Sequence, residues 1–278
     1  MAALVLTGCS SSYPDPRPDL DAAAAIRTKW KTAAPAADAT EQAAPVGTGW
    51  GTLKGRFVWD GEIPVQATLN CDKDSGTCCK EKILDESLVV GSDKGVANII
   101  VFLRSKASRI HPETEKIAET PVVLDNVKCV FRPHVSALWT KQKLILKNSD
   151  DVGHNTNYSS TSQGFNELLA PNSTKERTLA KGENAPAGVS CNIHGWMAAR
   201  LLVRDNPYFA VTKADGTFEI PNLPAGEELE FKIWHEKNDK LELAVGDIKV
   251  AKGSFKLKLT EDETKPLDVS LTPAMFGK

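Results

Sequence analysis

Cys191, His194 and Met197 stand three residues apart in the run Cys191-Asn192-Ile193-His194-Gly195-Trp196-Met197. A thiolate, an imidazole and a thioether on one short segment suit copper. Two imidazole nitrogens and a thiolate in a trigonal plane, with a weak axial thioether, serve Cu(I) and Cu(II) with little rearrangement. With five His and three Met in 278 residues, a C-x-x-H-x-x-M pattern arises by chance in about one such chain in a thousand. The spacing fits a tight loop wrapping one ion between two strand ends. The missing imidazole is expected from His154, which follows the apolar stretch Leu144-Ile145-Leu146 and the polar turn Asn148 to Gly153. The expected chemistry is one-electron transfer at a single type 1 copper ion held by His154, Cys191, His194 and Met197. Enzymatic copper chemistry needs an open coordination position or a second centre. The chain has no further His cluster to build one, so no catalytic residue is assigned.

The other histidines read more plainly. His134, in Phe131-Arg132-Pro133-His134, is expected to be a hydrogen-bonded structural residue or one that supports a ligand from outside. His235 reads as a packing residue at a strand end, and His111, before a proline, as solvated. Trp196 is expected beside the metal, limiting water, or in ordinary core.

Six cysteines, Cys9, Cys71, Cys78, Cys79, Cys129 and Cys191, form no zinc-type pair of C-x-x-C motifs and fit an oxidising compartment. A metal-binding Cys191 is a free thiolate, and the four others besides Cys9 can pair in three ways. Sequence neighbours Cys78 and Cys79 are poor mutual partners, and Cys71 to Cys78 closes a small loop. The expected bridges are therefore Cys71–Cys78 and Cys79–Cys129, the second stapling two parts of the fold together. Leu6-Thr7-Gly8-Cys9 reads as a lipoprotein cleavage site with Cys9 carrying the lipid, although the apolar run before it is too short for a secretory signal. Residues 1–9 are thus a truncated signal. Residues 10–49, rich in Ala and Pro, are a disordered tether, with a short helix conceivable over 19–32. The expected location is periplasmic or at the cell surface, anchored to the membrane through lipid. No other apolar stretch approaches the roughly 18 residues of a membrane span. The 34 basic and 36 acidic side chains form no long single-sign block, which argues against a nucleic-acid partner.

From Trp50 onward the chain reads as short strands punctuated by turns. Gly51 to Gly61 alternates apolar and polar residues before an Asp-Gly turn. Val96 to Leu103, Pro121 to Leu124, Lys143 to Lys147, Arg200 to Arg204, Thr217 to Ile220, Leu229 to His235, Leu241 to Val250, Phe255 to Leu259 and Leu267 to Leu271 follow. No long helical period interrupts them, so the expected class is all-β, built as sandwiches.

Several motifs resemble the cupredoxin family: Phe131-Arg132-Pro133, the strand to Lys147, Asn148-Ser149-Asp150 and then His154, with the C-x-x-H-x-x-M spacing of amicyanin-like members. A closer resemblance is to methylamine utilization protein-like cupredoxins, through Cys191 to Met197, Leu201-Leu202-Val203, Asp205-Asn206-Pro207-Tyr208-Phe209-Ala210 and Trp234-His235. Asn155 departs from it, standing where many such proteins carry a second histidine; it matches a plastocyanin-like position that braces the thiolate loop. Gly51 to Gly61 and Val211 to Gly226 resemble the two halves of a carboxypeptidase regulatory-like, transthyretin-like domain. The resemblance implies a cupredoxin Greek-key β-sandwich (121–205) inserted in or packed with a discontinuous transthyretin-like β-sandwich (50–120 and 206–278). It implies copper-dependent electron transfer through an exposed edge of His194 to a redox protein such as a c-type cytochrome or periplasmic oxidoreductase, over a small transient interface. Two other classes remain open: a copper-binding or storage protein, and a surface-attached structural or glycan-interacting β-module.

Overall fold

The computed structural model describes residues 49–277 together with Asp21 and Ala25, both helical. Cys9 and the remainder of residues 1–48 lie outside the described residues. Among the described residues no helix is long and apolar enough to cross a membrane.

The chain is all-β. Strand β1 (Trp50–Trp59) pairs antiparallel with β13 (Thr217–Pro224) and runs parallel to β18 (Thr264–Pro266) and β19 (Val269–Leu271). A second sheet has the order β12 (Phe209–Val211), β2 (Ile100–Leu103), β14 (Glu228–Trp234), β17 (Ser254–Lys258). Leu53 and Phe57 from the first sheet meet Val101, Leu103, Phe231 and Ile233 from the second in one core.

Residues 122–204 form two further sheets. One has the order β4 (Val130–Arg132), β3 (Val122–Val127), β6 (Lys143–Asn148), β9 (Ser173–Thr178). The other runs β5 (Val135–Trp139), β11 (Ala198–Arg204), β10 (Ala187–Ser190), β7 (His154–Tyr158), β8 (Phe165–Leu169). The chain crosses repeatedly between these two sheets, which makes β3–β6 and β5–β11 parallel pairs among antiparallel ones. Their inward faces bury Leu124, Phe131, Leu144, Leu146, Val189 and Leu201.

Strand β2 explains how the two sandwiches join. All four of its residues are buried. Successive strand residues point to opposite faces, so Val101 and Leu103 enter the first core. Ile100 and Phe102 pack instead with Val135, Ala137, Leu202 and Trp234. An unbroken apolar run is what a strand covered on both sides requires. This ladder starts later than the apolar run from Val96, because Asn98 takes a left-handed φ of 65°. The expected single strand from Leu241 to Val250 is instead a hairpin of β15 (Leu243–Val245) and β16 (Ile248–Val250). The reversal is at Gly246, with φ 56°.

The four cysteines expected to form bridges do so, but in a different pairing: Cys71 with Cys79 and Cys78 with Cys129. The reason is one helical turn, α1 (Ser75–Cys78). Neighbouring residues on a helix point about 100° apart. Cys78 is thereby turned inward, 4% exposed, to meet Cys129 in the β3–β4 turn, while Cys79 faces back to Cys71.

Behind β5 and β11, His134 Nε2 lies 2.7 Å from Glu236 Oε2, and Arg200 donates to Glu236 Oε1 from Nε and from an Nη at 3.0 and 2.7 Å. Burial pushes the Glu236 carboxyl up, but these hydrogen bonds and the cationic partners outweigh it and bring it to about 2. His235, 1% exposed, packs edge-on to Phe276 at 5.0 Å. Burial drives its pKa down to about 4, Glu236 opposing and His134 and Lys237 adding to the fall. The unfolded chain therefore binds a proton here near pH 6.5 that the folded chain refuses until about pH 4. Stability from this group is complete above pH 6.5 and is lost as the pH falls from there to about 4, by about 3 kcal/mol. Urea midpoints at pH 7 and pH 4 should show that loss in the wild type and a smaller one in His235→Gln.

Candidate metal centre

Strands β10 and β11 form an antiparallel pair closed at Ser190↔Ala198, and the seven-residue loop between them carries the soft donors. The Cys191 N–H donates to Met197 O at 3.2 Å and the Met197 N–H to His194 O at 3.0 Å. These bonds curl the loop so that Cys191, His194 and Met197 all turn inward, 2%, 0% and 1% exposed. His154 opens β7, which pairs with β10 on the same sheet, and is likewise fully buried. The loop and strand bring His154, Cys191 and His194 into one group whose ligand atoms lie within 4.8 Å of one another.

The geometry turns on which ring nitrogens converge. His154 Nδ1 is 2.9 Å from His194 Nδ1, and Cys191 Sγ is 3.7 Å from His194 Nδ1. Each Nε2 points away to a carboxylate: His154 to Asp150 Oδ2 at 2.9 Å, His194 to Asp74 Oδ2 at 2.7 Å. A carboxylate accepting a hydrogen bond from Nε2–H keeps the proton on Nε2 and leaves the lone pair on Nδ1. Two Nδ1 lone pairs then face each other beside a sulfur, an arrangement that repels itself unless a cation sits between them. Bonds of about 2.0 Å to nitrogen and 2.3 Å to sulfur in a trigonal plane need separations of about 3.5 Å between nitrogens and 3.7 Å from nitrogen to sulfur. The sulfur distance is already there, and the nitrogens need to part by about half an ångström. Burial lowers the His154 pKa, His194 adding to the effect and Asp150 opposing it, which favours the neutral imidazole that a metal requires.

Asn155 Oδ1 accepts from Asn192 N at 2.7 Å and from Cys191 Sγ at 3.4 Å, so it ties the thiolate loop to β7. The Trp196 ring lies 5.1 Å from the His194 ring, tilted 53° to it, and donates through Nε1 to Cys129 O at 3.0 Å. His134 belongs with Glu236 and Arg200 rather than with the four donors. It lines a narrow cleft together with Trp196 and Met197. A second cluster, Cys129, Asp150 and His154, offers no thiolate because Cys129 is disulfide-bonded.

One expectation is overturned. His194 presents no exposed edge: its ring is covered by Asp74, which immediately precedes α1, and by Cys78 Sγ, 3.9 Å from Nε2. Neither carboxylate was identified from sequence as a partner of the histidines. Asp150 stood in the Asn-x-Asp motif before His154 without an assigned contact. Asp74 sits inside the cysteine-rich run 71–79, and that clustering was the available signal, since bridged loops are held against something.

No family model matches the chain, and no curated protein matches it. Among solved structures, a reduced Cu(I) form of an amicyanin variant is similar at 14% identity and a TM-score of 0.28, over 37% of this chain and 98% of that one. A purple cupredoxin from Nitrosopumilus maritimus is similar at 15% identity and a TM-score of 0.26, over 30% and 98%. A copper-containing nitrite reductase from Thermus scotoductus is similar at 18% identity and a TM-score of 0.28, over 37% of this chain and 25% of that one. The transthyretin-like resemblance of the flanking strands has no support in these likenesses. At such identities and scores they assign no role to any residue of this chain, whose chemistry follows from its own side chains.

Proposed function

We propose that His154, Cys191 and His194 hold one copper ion in a trigonal plane, with Met197 as its axial thioether, and that the protein carries single electrons. The observation that supports this is the facing pair of Nδ1 atoms, each imidazole turned by a carboxylate on its far nitrogen, with Cys191 Sγ beside them. Bound copper supplies a Cu(II)/Cu(I) couple. Thiolate, thioether and imidazole favour it over harder ions, and a rigid cage lowers the rearrangement that each change of charge demands. Asn155 and the Cys191–Met197 hydrogen bonds hold that cage. Burial of all four donors favours retention of the ion over storage and delivery, which need access. The donor set fills the coordination sphere, so the reading is a carrier and not an enzyme.

In the same reading the cupredoxin-like sandwich of residues 121–205 is inserted between the two parts of a surrounding β-domain. Cys9 bears lipid and residues 10–49 tether the folded part to a membrane at the periplasmic or outer face. There it exchanges electrons with a c-type cytochrome or a periplasmic oxidoreductase.

The test is to add copper to the purified protein and record its visible spectrum and reduction potential. A strong thiolate-to-copper band that disappears in Cys191→Ser, with reversible one-electron cycling, is expected. A colourless protein that takes only Cu(I) points to copper handling, and no copper binding removes the metal reading altogether.

A further inference from the structure

The cap over His194 closes the direct way out of the site, so electrons need another face. Two adjoining clefts are lined by residues that touch the donors or belong to them. One, of about 230 Å³, is floored by Cys78 and rimmed by Lys80, Lys82, Lys128 and Arg132, with Glu81 and Glu86. The other is narrow and reaches Trp196 and Met197; both share Ile83, Leu84, Glu86 and Val130. The first is thus lined by Cys78, whose Sγ is 3.9 Å from His194 Nε2, and the second by Met197, the candidate thioether ligand.

The charge around the first cleft is unbalanced. Lys128 pairs with Glu81 and Arg132 with Glu86. Both carboxylates are thus neutralised, and among the described residues Lys80 and Lys82 have no ion-pair partner. Leu84, a large apolar side chain 41% exposed, lines both clefts. Exposed apolar surface edged by charge suits a transient protein interface, and the sign of that charge selects an acidic partner.

We propose that this cleft is the electron-exchange face, docking an acidic redox protein by way of Lys80, Lys82 and Leu84. It rests on the copper reading for its purpose, though not for its charge or shape. One electron passes between the partner's centre and copper through the contact of Cys78 with His194. No bond is made or broken, and the disulfide stays oxidised. The face differs from the exposed His194 edge expected from the sequence.

The test compares wild type with the double variant Lys80→Glu, Lys82→Glu, both sites being exposed and remote from the core. In metal-free protein, a hexaglutamate peptide should bind with its NMR shift changes centred on residues 80–84, and the variant should weaken binding about tenfold. In Cu(I)-loaded protein, oxidation by hexacyanoferrate(III) should slow about tenfold in the variant and oxidation by the cationic tris(phenanthroline)cobalt(III) should quicken. Both differences should collapse at 1 M salt, where the screening length is about 3 Å. A Lys54→Glu, Lys213→Glu control, in a separate groove, should leave both probes near wild type.

Equal oxidation rates in the double variant, peptide shifts elsewhere, or an equal effect of the control pair would overturn the proposal. So would saturable binding of citrate in the cleft with no change in the hexacyanoferrate rate, which would make it a small-anion site. A protein without the visible band defeats the copper reading instead, and the metal-free arm still reports on the face.

Discussion

Replacing Asp150 by Ala is expected to cost the folded protein about 4 kcal/mol and to lower copper affinity ten- to a hundredfold. This one carboxylate, 8% exposed, accepts from Lys128 N at 2.6 Å and Cys129 N at 2.8 Å while engaging His154 Nε2 at 2.9 Å. Removing it leaves two backbone donors of the β3–β4 turn and one imidazole N–H without a partner. Each buried group so stranded costs about 1–3 kcal/mol. The same substitution frees the His154 ring to take the other tautomer, which points a proton and not a lone pair at the metal; the loss in affinity is of the size seen when such outer partners are removed. Urea unfolding of the metal-free protein reads the first effect and copper competition titration the second. Asp150→Asn keeps the shape and one acceptor, so it should recover part of the stability. Wild-type affinity in Asp150→Ala would refute the carboxylate's role in setting the tautomer.

Removing the Cys78–Cys129 bridge as a Cys78→Ala, Cys129→Ala pair is expected to cost about 4 kcal/mol. The cross-link spans 51 residues, and closing a loop of that length removes about that much entropy from the unfolded chain. The Cys71–Cys79 bridge spans only 8, so Cys71→Ala, Cys79→Ala should cost nearer 2.5 kcal/mol. The larger cut also strips the sulfur floor from beside His194. Comparing the two double variants by denaturant midpoint tests the connectivity itself: the Cys71–Cys78 and Cys79–Cys129 pairing would make each double variant cut into both bridges and erase the difference.

Much of this was legible where side-chain chemistry and local spacing agree. The all-β class follows from turn-bounded apolar runs, and the soft donors of the 191–197 loop announce themselves by type and interval. Strand β7 was not legible as a strand, because His154, Asn155, Thr156 and Asn157 carry no apolar alternation. Its first three residues are nevertheless buried, and two of them, His154 and Asn155, belong to the site. Strands β8 and β9 hide for the opposite reason: as outer strands of their sheets they are largely polar and partly exposed. The disulfide pairing depends on the direction in which one helical turn aims two adjacent cysteines, which spacing does not encode. The cover over His194 comes from Asp74, 120 positions away, and only the closed fold brings the two together.

Strand β2 has a consequence for how the chain reaches this fold. Its partners β12 and β14 are separated from it in sequence by everything from β3 to β11. Pairing them early means closing a loop of about a hundred residues. If residues 122–204 collapse first into their own two sheets, the ends of that segment are already drawn together and the effective loop shrinks to roughly a fifth, saving about 1.4 kcal/mol of closure entropy. The sandwich that carries the metal centre then acts as a scaffold for assembling its neighbour, and a slow step in forming it delays the whole molecule.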